Sequence, residues 1–444
     1  MKSTLLGIRG YLIDAPQPGN LRAWSDGAIL VEDGLIAEVG DYSALQKKPR
    51  QEEIRWIHSP RVAVFPGLID LHTHLPQYPV VARGGGELLP WLRQTIFPVE
   101  RDFTLSKSRR ESPLFFGDLA RCGTTTAMVY GANLEESCDA AFEAAQKSGL
   151  RVILGKMLMD TGPGCETHAS KTVGSLLLES ERLCKKWHGA GNGLLEYAFS
   201  PRFALSCSDD LMRGASELAG KYSAYLQTHL AENREEIEKV RSQFPWATDY
   251  TDVYEKCGIL GPKTVLGHCI HLSEREKEAL AATHSNIAHC PTSNLFLGSG
   301  IMPLDQFMDD GIHTGLGSDV AAGPELNLWQ VMRSVIESQK ARSFYEKKVR
   351  VPSPADALFL ATQGGADALG KGDRIGALEI GREADLTVVD FGSLLPSRKS
   401  TRDHADLSAA DILGLCIYRG GPQATVETFV RGESVYRAMN PALF

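Results

Sequence analysis

The 444-residue chain lacks any apolar run approaching the ~18 residues that a membrane span needs, so no membrane partner is expected. Its beginning, Met1-Lys2-Ser3-Thr4-Leu5-Leu6, has neither the long apolar stretch nor the small-residue cleavage site of a secretion signal. A cytoplasmic location is the expectation. No Cys-x-x-Cys pair occurs among nine cysteines scattered from Cys122 to Cys416. That odd count excludes a fully paired disulfide framework and suits reduced thiols packed as small core residues. No basic block offsets an acidic balance of 47 Lys and Arg against 55 Asp and Glu, a net charge of -8. Nucleic acid is therefore a poor partner, and a small neutral or cationic molecule a better one. Internal repeats and low-complexity segments are absent too. What remains, 43% hydrophobic and 23% charged residues, is ordinary soluble globular composition. The length suits a barrel plus a small accessory domain.

The most informative stretch is Pro66-Gly67-Leu68-Ile69-Asp70-Leu71-His72-Thr73-His74, with Gln77 three residues on. Leu68 and Ile69 continue the apolar run Val62 to Phe65, so His72 and His74 fall where a buried strand would end. Residues i and i+2 of a strand share one side. Both imidazoles would then face one point, as ligands of a borderline metal such as zinc must.

Around this stretch the chain alternates short apolar runs with helical patterns, the signature of βαβ units. Eight runs are expected as strands: 68–71, 124–129, 152–157, 194–199, 224–228, 264–266, 286–288 and 314–316. Eight strands with helices over about 300 residues match a (β/α)8 TIM-like barrel, whose site lies at the C-terminal strand ends. Both termini instead read as strands and turns. Asp33-Gly34 between alternating apolar runs signals a hairpin, and Leu378 to Gly381, Ala384 to Val389 and Ala424 to Val430 look like further strands. The expected fold class is α/β: a barrel over 66–370 and a β-sandwich accessory domain formed from 1–65 and 371–444.

Polar residues cluster just after the runs. His229 follows the fifth and leads to Glu232, His268 ends the sixth, and Asp319 ends the eighth in Gly317-Ser318-Asp319. Taken singly, each has a plain structural use. His229 or His268 could be a satisfied core histidine, Asp319 an N-cap, and Glu232 a first-turn carboxylate. Four separate strand ends placing ligands and acid–base groups at one mouth by accident is the weaker account. His188, His284, His313 and His404 fall in helical or loop contexts and are expected to be structural or solvated. His289 ends the seventh run, where it can shape the site without being a ligand.

These stretches resemble the amidohydrolase superfamily, in its mononuclear deaminase branch. The resemblance extends over nearly the whole chain. It is carried by His74-Leu75-Pro76-Gln77, Trp91-Leu92, Phe97-Pro98-Val99-Glu100, Ser200-Pro201-Arg202-Phe203, Thr228-His229-Leu230-Ala231-Glu232 and the Asp319 strand end. The Gln, Arg-Phe and Trp-Leu elements narrow it to the guanine-acting group. Two departures concern pocket shape: the glycine run Gly84-Gly85-Gly86, and Ala321-Ala322, where a glycine is more usual. The resemblance implies one Zn2+, with Fe2+ the alternative, held by His72, His74, His229 and Asp319. It implies Asp319 as proton acceptor from water, Glu232 as proton donor to the ring, and His268 as hydrogen-bond partner of the attacking oxygen. Gln77 and Arg202 would read the purine edge, Phe203 and Trp91 would cover its faces, and guanine would yield xanthine in purine catabolism. A homodimer is common in such families.

Competing classes are weaker. Binuclear cyclic-amide hydrolases need a lysine on the fourth strand, where this chain has Glu196-Tyr197-Ala198-Phe199-Ser200; Lys156 sits on the third. The His-x-Glu and Pro-Cys-x-x-Cys deaminase signature is missing. Pterins, s-triazines or 8-oxoguanine remain as alternative substrates, and a catalytically silent scaffold as the non-enzymatic alternative.

Overall fold

The computed structural model describes residues 4–47, 53–162, 164–165, 171–396 and 407–439. Eight parallel strands, Leu68–His74, Thr124–Tyr130, Arg151–Gly155, Leu195–Pro201, Tyr225–Leu230, Thr264–His268, Asn286–His289 and Thr314–Leu316, follow one another in sequence order around a barrel. They coincide with the eight apolar runs. Nearly every strand residue is buried, because helices cover the outer face and side chains fill the inner one. A short extra strand, Met157–Leu158, pairs beside the fourth.

The first and eighth strands close the barrel through backbone bonds at their C-terminal ends. Asp319 N–H donates to the His72 carbonyl at 2.8 Å, and His74 N–H to the Val320 carbonyl at 3.1 Å. Asp70 Oδ1 reinforces this seam by accepting from Ser318 N–H (3.0 Å) and His72 N–H (3.2 Å). The surrounding helices start and stop for local reasons. Ser208 caps Asp209–Tyr222 by accepting from Leu211 N–H, and Ser273 with Glu276 forms a capping box for Glu274–Thr283. Gly149, at φ +73°, ends Glu135–Ser148 in the left-handed region.

The termini meet beside the barrel as expected, and their strands join in one seven-stranded mixed sheet rather than in two separate sheets. Its order is Glu433–Arg437, Thr425–Val430, Leu386–Asp390, Glu53–Pro66, Thr4–Gln17, Asn20–Glu32 and Leu35–Asp41. Leu386–Asp390 runs antiparallel to Glu53–Pro66, which stitches the C-terminal strands to the N-terminal ones. Ile8, Leu12, Ile29, Val64, Leu386, Val388 and Phe429 share one core between them. The Asp33-Gly34 hairpin has φ of +49° and +81° at its two residues, the backbone a tight two-residue turn requires. Leu378 to Gly381 is not the expected strand. Gly381 at φ +87° turns the chain there, and Leu378 N–H donates to the Asp14 carboxylate at 2.8 Å instead of to a ladder. Its apolar alternation reflects packing of Leu378 into the core, not pairing.

Gly67 carries the chain from the sheet into the barrel. A Cβ there would lie 2.1 Å from Thr125 Oγ1, so no larger residue fits the passage. Nearby, at the N-terminal mouth of the barrel, buried Arg151 donates to Asp385 Oδ2 at 3.1 Å and pairs with Glu383. Glu383 also accepts from Arg431 and Arg374. Burial opposes ionisation of Glu383, but these guanidinium partners outweigh it and hold its carboxyl at about 2. Among the described residues, no helix is long and apolar enough to cross a membrane.

Candidate metal centre and active site

At the opposite, C-terminal mouth, two strand ends and the segment after the eighth strand deliver His72, His74, His229 and Asp319 to one point. One ligand atom from each lies within 4.8 Å of all the others, and all four side chains are buried. His74 Nε2 is 3.2 Å from both His72 Nε2 and His229 Nε2. Asp319 Oδ1 lies 3.3 Å from His72 Nε2 and 3.2 Å from His74 Nε2. The i, i+2 placement of His72 and His74 does what strand geometry requires. Close approach of their neighbours depends on glycine: a Cβ at Gly267 would meet the His72 ring at 2.7 Å, and one at Gly317 would meet His72 Cβ at 2.7 Å.

The protonation pattern suits a cation. His229 Nδ1 faces the Arg202 carbonyl, which can only accept, so Nδ1 carries the proton and Nε2 presents its lone pair to the cluster. Burial depresses His74 to about 3, and burial with the neighbouring imidazoles pushes His229 well below the ordinary range. Burial would raise the Asp319 carboxyl, but hydrogen bonds from His72 and His74 outweigh it and hold the group ionised. Three imidazoles and one carboxylate, converging in a buried site, fit a divalent metal ion.

Two further groups flank this cluster. Glu232 is 3% exposed, lies outside the following helix Arg234–Gln243, and is therefore not a first-turn carboxylate. Burial, then the charge of Asp319, raises its carboxyl to about 8, against a lowering contribution from the Ser299 hydroxyl, which donates to Oε1 at 3.1 Å. His268 Nε2 lies 3.5 Å from Glu232 Oε2 and 3.8 Å from Asp319 Oδ2, with no hydrogen-bond partner. Its Nδ1 is held by Asn294 Oδ1 at 2.9 Å. Asp319 and His268 both have φ in the left-handed region, +49° and +71°. Non-glycine residues adopt it at a cost of about 1–3 kcal/mol, which the surrounding structure must hold.

The adjoining pocket, partly open to solvent, is lined by Gln77, Trp91, Arg202 and Phe203 together with His74, His229, Glu232, His268 and Asp319. All of the expected site residues except His72 therefore face one pocket. Gln77 is more constrained than a free carboxamide. Its Oε1 accepts from Ala321 N–H at 3.1 Å, and its Nε2 donates to Glu100 Oε1 at 2.8 Å. Arg202 Nη2 donates to the same Glu100 oxygen at 3.2 Å, and its guanidinium lies 5.1 Å and 5.4 Å from the Phe97 and Phe203 ring centres. Neither Glu100 nor Asn294 and Ser299 stood out in sequence. Glu100 lay within a stretch carrying the family resemblance, but only spatial contact shows what it touches.

The remaining histidines stay apart from the cluster. His188 Nδ1 accepts from Tyr197 N–H, His284 ends a helix at φ +54°, and His313 borders a separate cavity near the barrel's lower end. His404 lies outside the described residues. His289 is buried beneath the site with neither ring nitrogen hydrogen-bonded, and burial lowers it to about 3. Lys156 is buried 3.3 Å from Glu179 Oε2 and contributes nothing to the centre.

A model of the amidohydrolase family matches residues 63–435. The guanine deaminase of Escherichia coli (strain K12) is 35% identical over 443 residues, 98% of each chain. The solved structure of E. coli guanine deaminase superposes with a TM-score of 0.89 at 34% identity, covering 97% of this chain and 99% of that one. Guanine deaminase from C. acetobutylicum with guanine bound in its active site gives 0.89 at 30% identity, over 97% and 100%. With the barrel, its four convergent ligands and these likenesses in hand, the chain belongs to the amidohydrolase family.

Proposed function

We propose that the protein hydrolyses guanine to xanthine and ammonia. The observation that carries this reading is the convergence of His72, His74, His229 and Asp319 within 4.8 Å of one another beside a pocket that Glu232, His268, Gln77 and Arg202 also face. Two carboxyls flank that pocket, and a deaminase needs such a pair, one group to give a proton and one to take it. The near full-length likeness to guanine deaminases names the substrate.

His72, His74, His229 and Asp319 would hold the metal, zinc in this proposal with iron(II) as the alternative. When bound, it lowers the pKa of water to roughly 7, making a nucleophile available at neutral pH. Asp319 accepts the proton this water loses. Glu232 donates its carboxyl proton to the ring nitrogen next to carbon 2 as that carbon becomes tetrahedral. His268 Nε2, left without a protein partner, hydrogen-bonds the attacking oxygen. The carbon–nitrogen bond then breaks, the proton held on Asp319 leaves with the amine as ammonia, and the new hydroxyl returns a proton to the Glu232 carboxylate as the 2-oxo group forms. Arg202 and Gln77 bind the purine edge, with Phe203 and Trp91 against its faces.

The same proposal takes residues 66–370 as the catalytic domain, with 1–65 and 371–444 as the accessory one. A homodimer, a cytoplasmic location and a place in purine catabolism belong to it as well. Ammonia release from guanine, 8-oxoguanine, adenine, cytosine, a pterin and an s-triazine tests it. Guanine is expected to be turned over fastest; a higher kcat/KM for any other member overturns the substrate assignment.

A further inference from the structure

Glu100 lies behind the wall that Gln77 and Arg202 present to the pocket. Three buried side chains meet there, 2% exposed for Glu100, 2% for Gln77 and 3% for Arg202. We propose that Glu100 is a specificity-determining positioning residue: its Oε1 binds both side chains that read the purine edge and sets which donors and acceptors they offer. This rests on the guanine reading above.

A carboxamide can present either end to a ligand, because its oxygen and nitrogen are nearly isosteric. At Gln77 that freedom is removed twice. Ala321 N–H requires the oxygen on its side, and the Glu100 carboxylate requires the nitrogen on the other. What remains for a ligand is one N–H donor and one oxygen lone pair in a fixed arrangement. Arg202 is restrained by the same atom. A carboxylate and a guanidinium are expensive to bury alone, so each requires the other. The pair holds Arg202 between Phe97 and Phe203 while its Nε has no protein hydrogen bond. Glu100 itself comes from the helix Phe97–Arg101, which closes the segment carrying Trp91 and Leu92 over the pocket. One oxygen therefore joins that cover to both edge readers.

The test uses E100Q. Its carboxamide cannot match both partners with a charged acceptor, and it leaves Arg202 an uncompensated cation. Guanine KM, kcat and bound metal are measured, with inhibition constants for hypoxanthine and purine, two non-reacting bicycles that differ at the 6-oxo group. The wild type is expected to prefer hypoxanthine. In E100Q, guanine KM is expected to rise about ten- to hundredfold with a smaller change in kcat, metal content to hold, and the hypoxanthine preference to fall at least about tenfold. If E100Q shows no cooperative unfolding, E100D replaces it, since it keeps the charge and withdraws the carboxylate by one methylene. An unchanged hypoxanthine preference in the variant that folds overturns the proposal, as does loss of bound metal in step with activity, which marks a merely structural role. Wild-type protein that releases no ammonia from guanine overturns the guanine reading itself and is seen before any variant is made.

Discussion

Both mouths of the barrel bury charge, and they do so differently. At the N-terminal mouth, Arg151, Glu383, Asp385, Arg374 and Arg431 form a chain of opposite charges in which each carboxylate meets guanidinium or backbone donors. At the C-terminal mouth, His268 Nε2, His74 Nδ1, Glu100 Oε2 and Arg202 Nε have no hydrogen-bond partner in the protein, although all are buried. A buried polar atom without a partner costs about 1–3 kcal/mol. One end has used its charges, Arg151 Nη1 excepted, to join two parts of the fold. The other keeps donors and acceptors in reserve for something that is not protein.

Five experiments bear on that contrast. Removing metal with a chelator should abolish turnover and dissolved zinc should restore it; full activity in metal-free protein would break the assignment of the C-terminal mouth. Glu232→Gln should lower kcat by about 10²–10⁴-fold while metal stays bound, as expected for a lost proton donor. In the wild type, kcat should fall as pH rises past about 8, where Glu232 gives up the proton it must donate. A flat profile to pH 10 would remove Glu232 from that role. At the other mouth, Arg151→Ala should cost about 3–5 kcal/mol of stability by removing the guanidinium on Asp385 Oδ2 and one of the three on Glu383. The thermal midpoint should drop while kcat at a permissive temperature stays near wild type; a large kcat loss in folded protein would mean the two mouths are coupled. Arg333→Ala, which breaks the exposed pair with Glu337, should change stability by less than about 1 kcal/mol and leave kcat alone.

Much of the barrel was legible because buried parallel strands are written as unbroken apolar runs, and all eight fall where those runs predict. The convergence of His72 and His74 followed from their spacing and that of His229 and Asp319 from strand-end placement, while their reading as metal ligands came from the family resemblance. Three features were not readable. Leu378 to Gly381 mimics a strand because a residue packed beside a turn is apolar for the same reason as one in a ladder. The engagement of Gln77 by Ala321 N–H depends on a backbone amide 244 residues away. Glu100, Asn294 and Ser299 are ordinary polar residues until folding sets them against Arg202, His268 and Glu232. Second partners of this kind have no sequence period, since they answer to distance across the fold rather than along the chain.

The seam between the first and eighth strands has a last consequence. The Asp319 amide bonded to the His72 carbonyl shuts the barrel, and the side chains of those same two residues belong to the cluster that would hold a cation. Ring closure and assembly of that cluster therefore go together. An ion that prefers the assembled site would favour the shut cylinder by mass action, and thermal parting of this seam would release it.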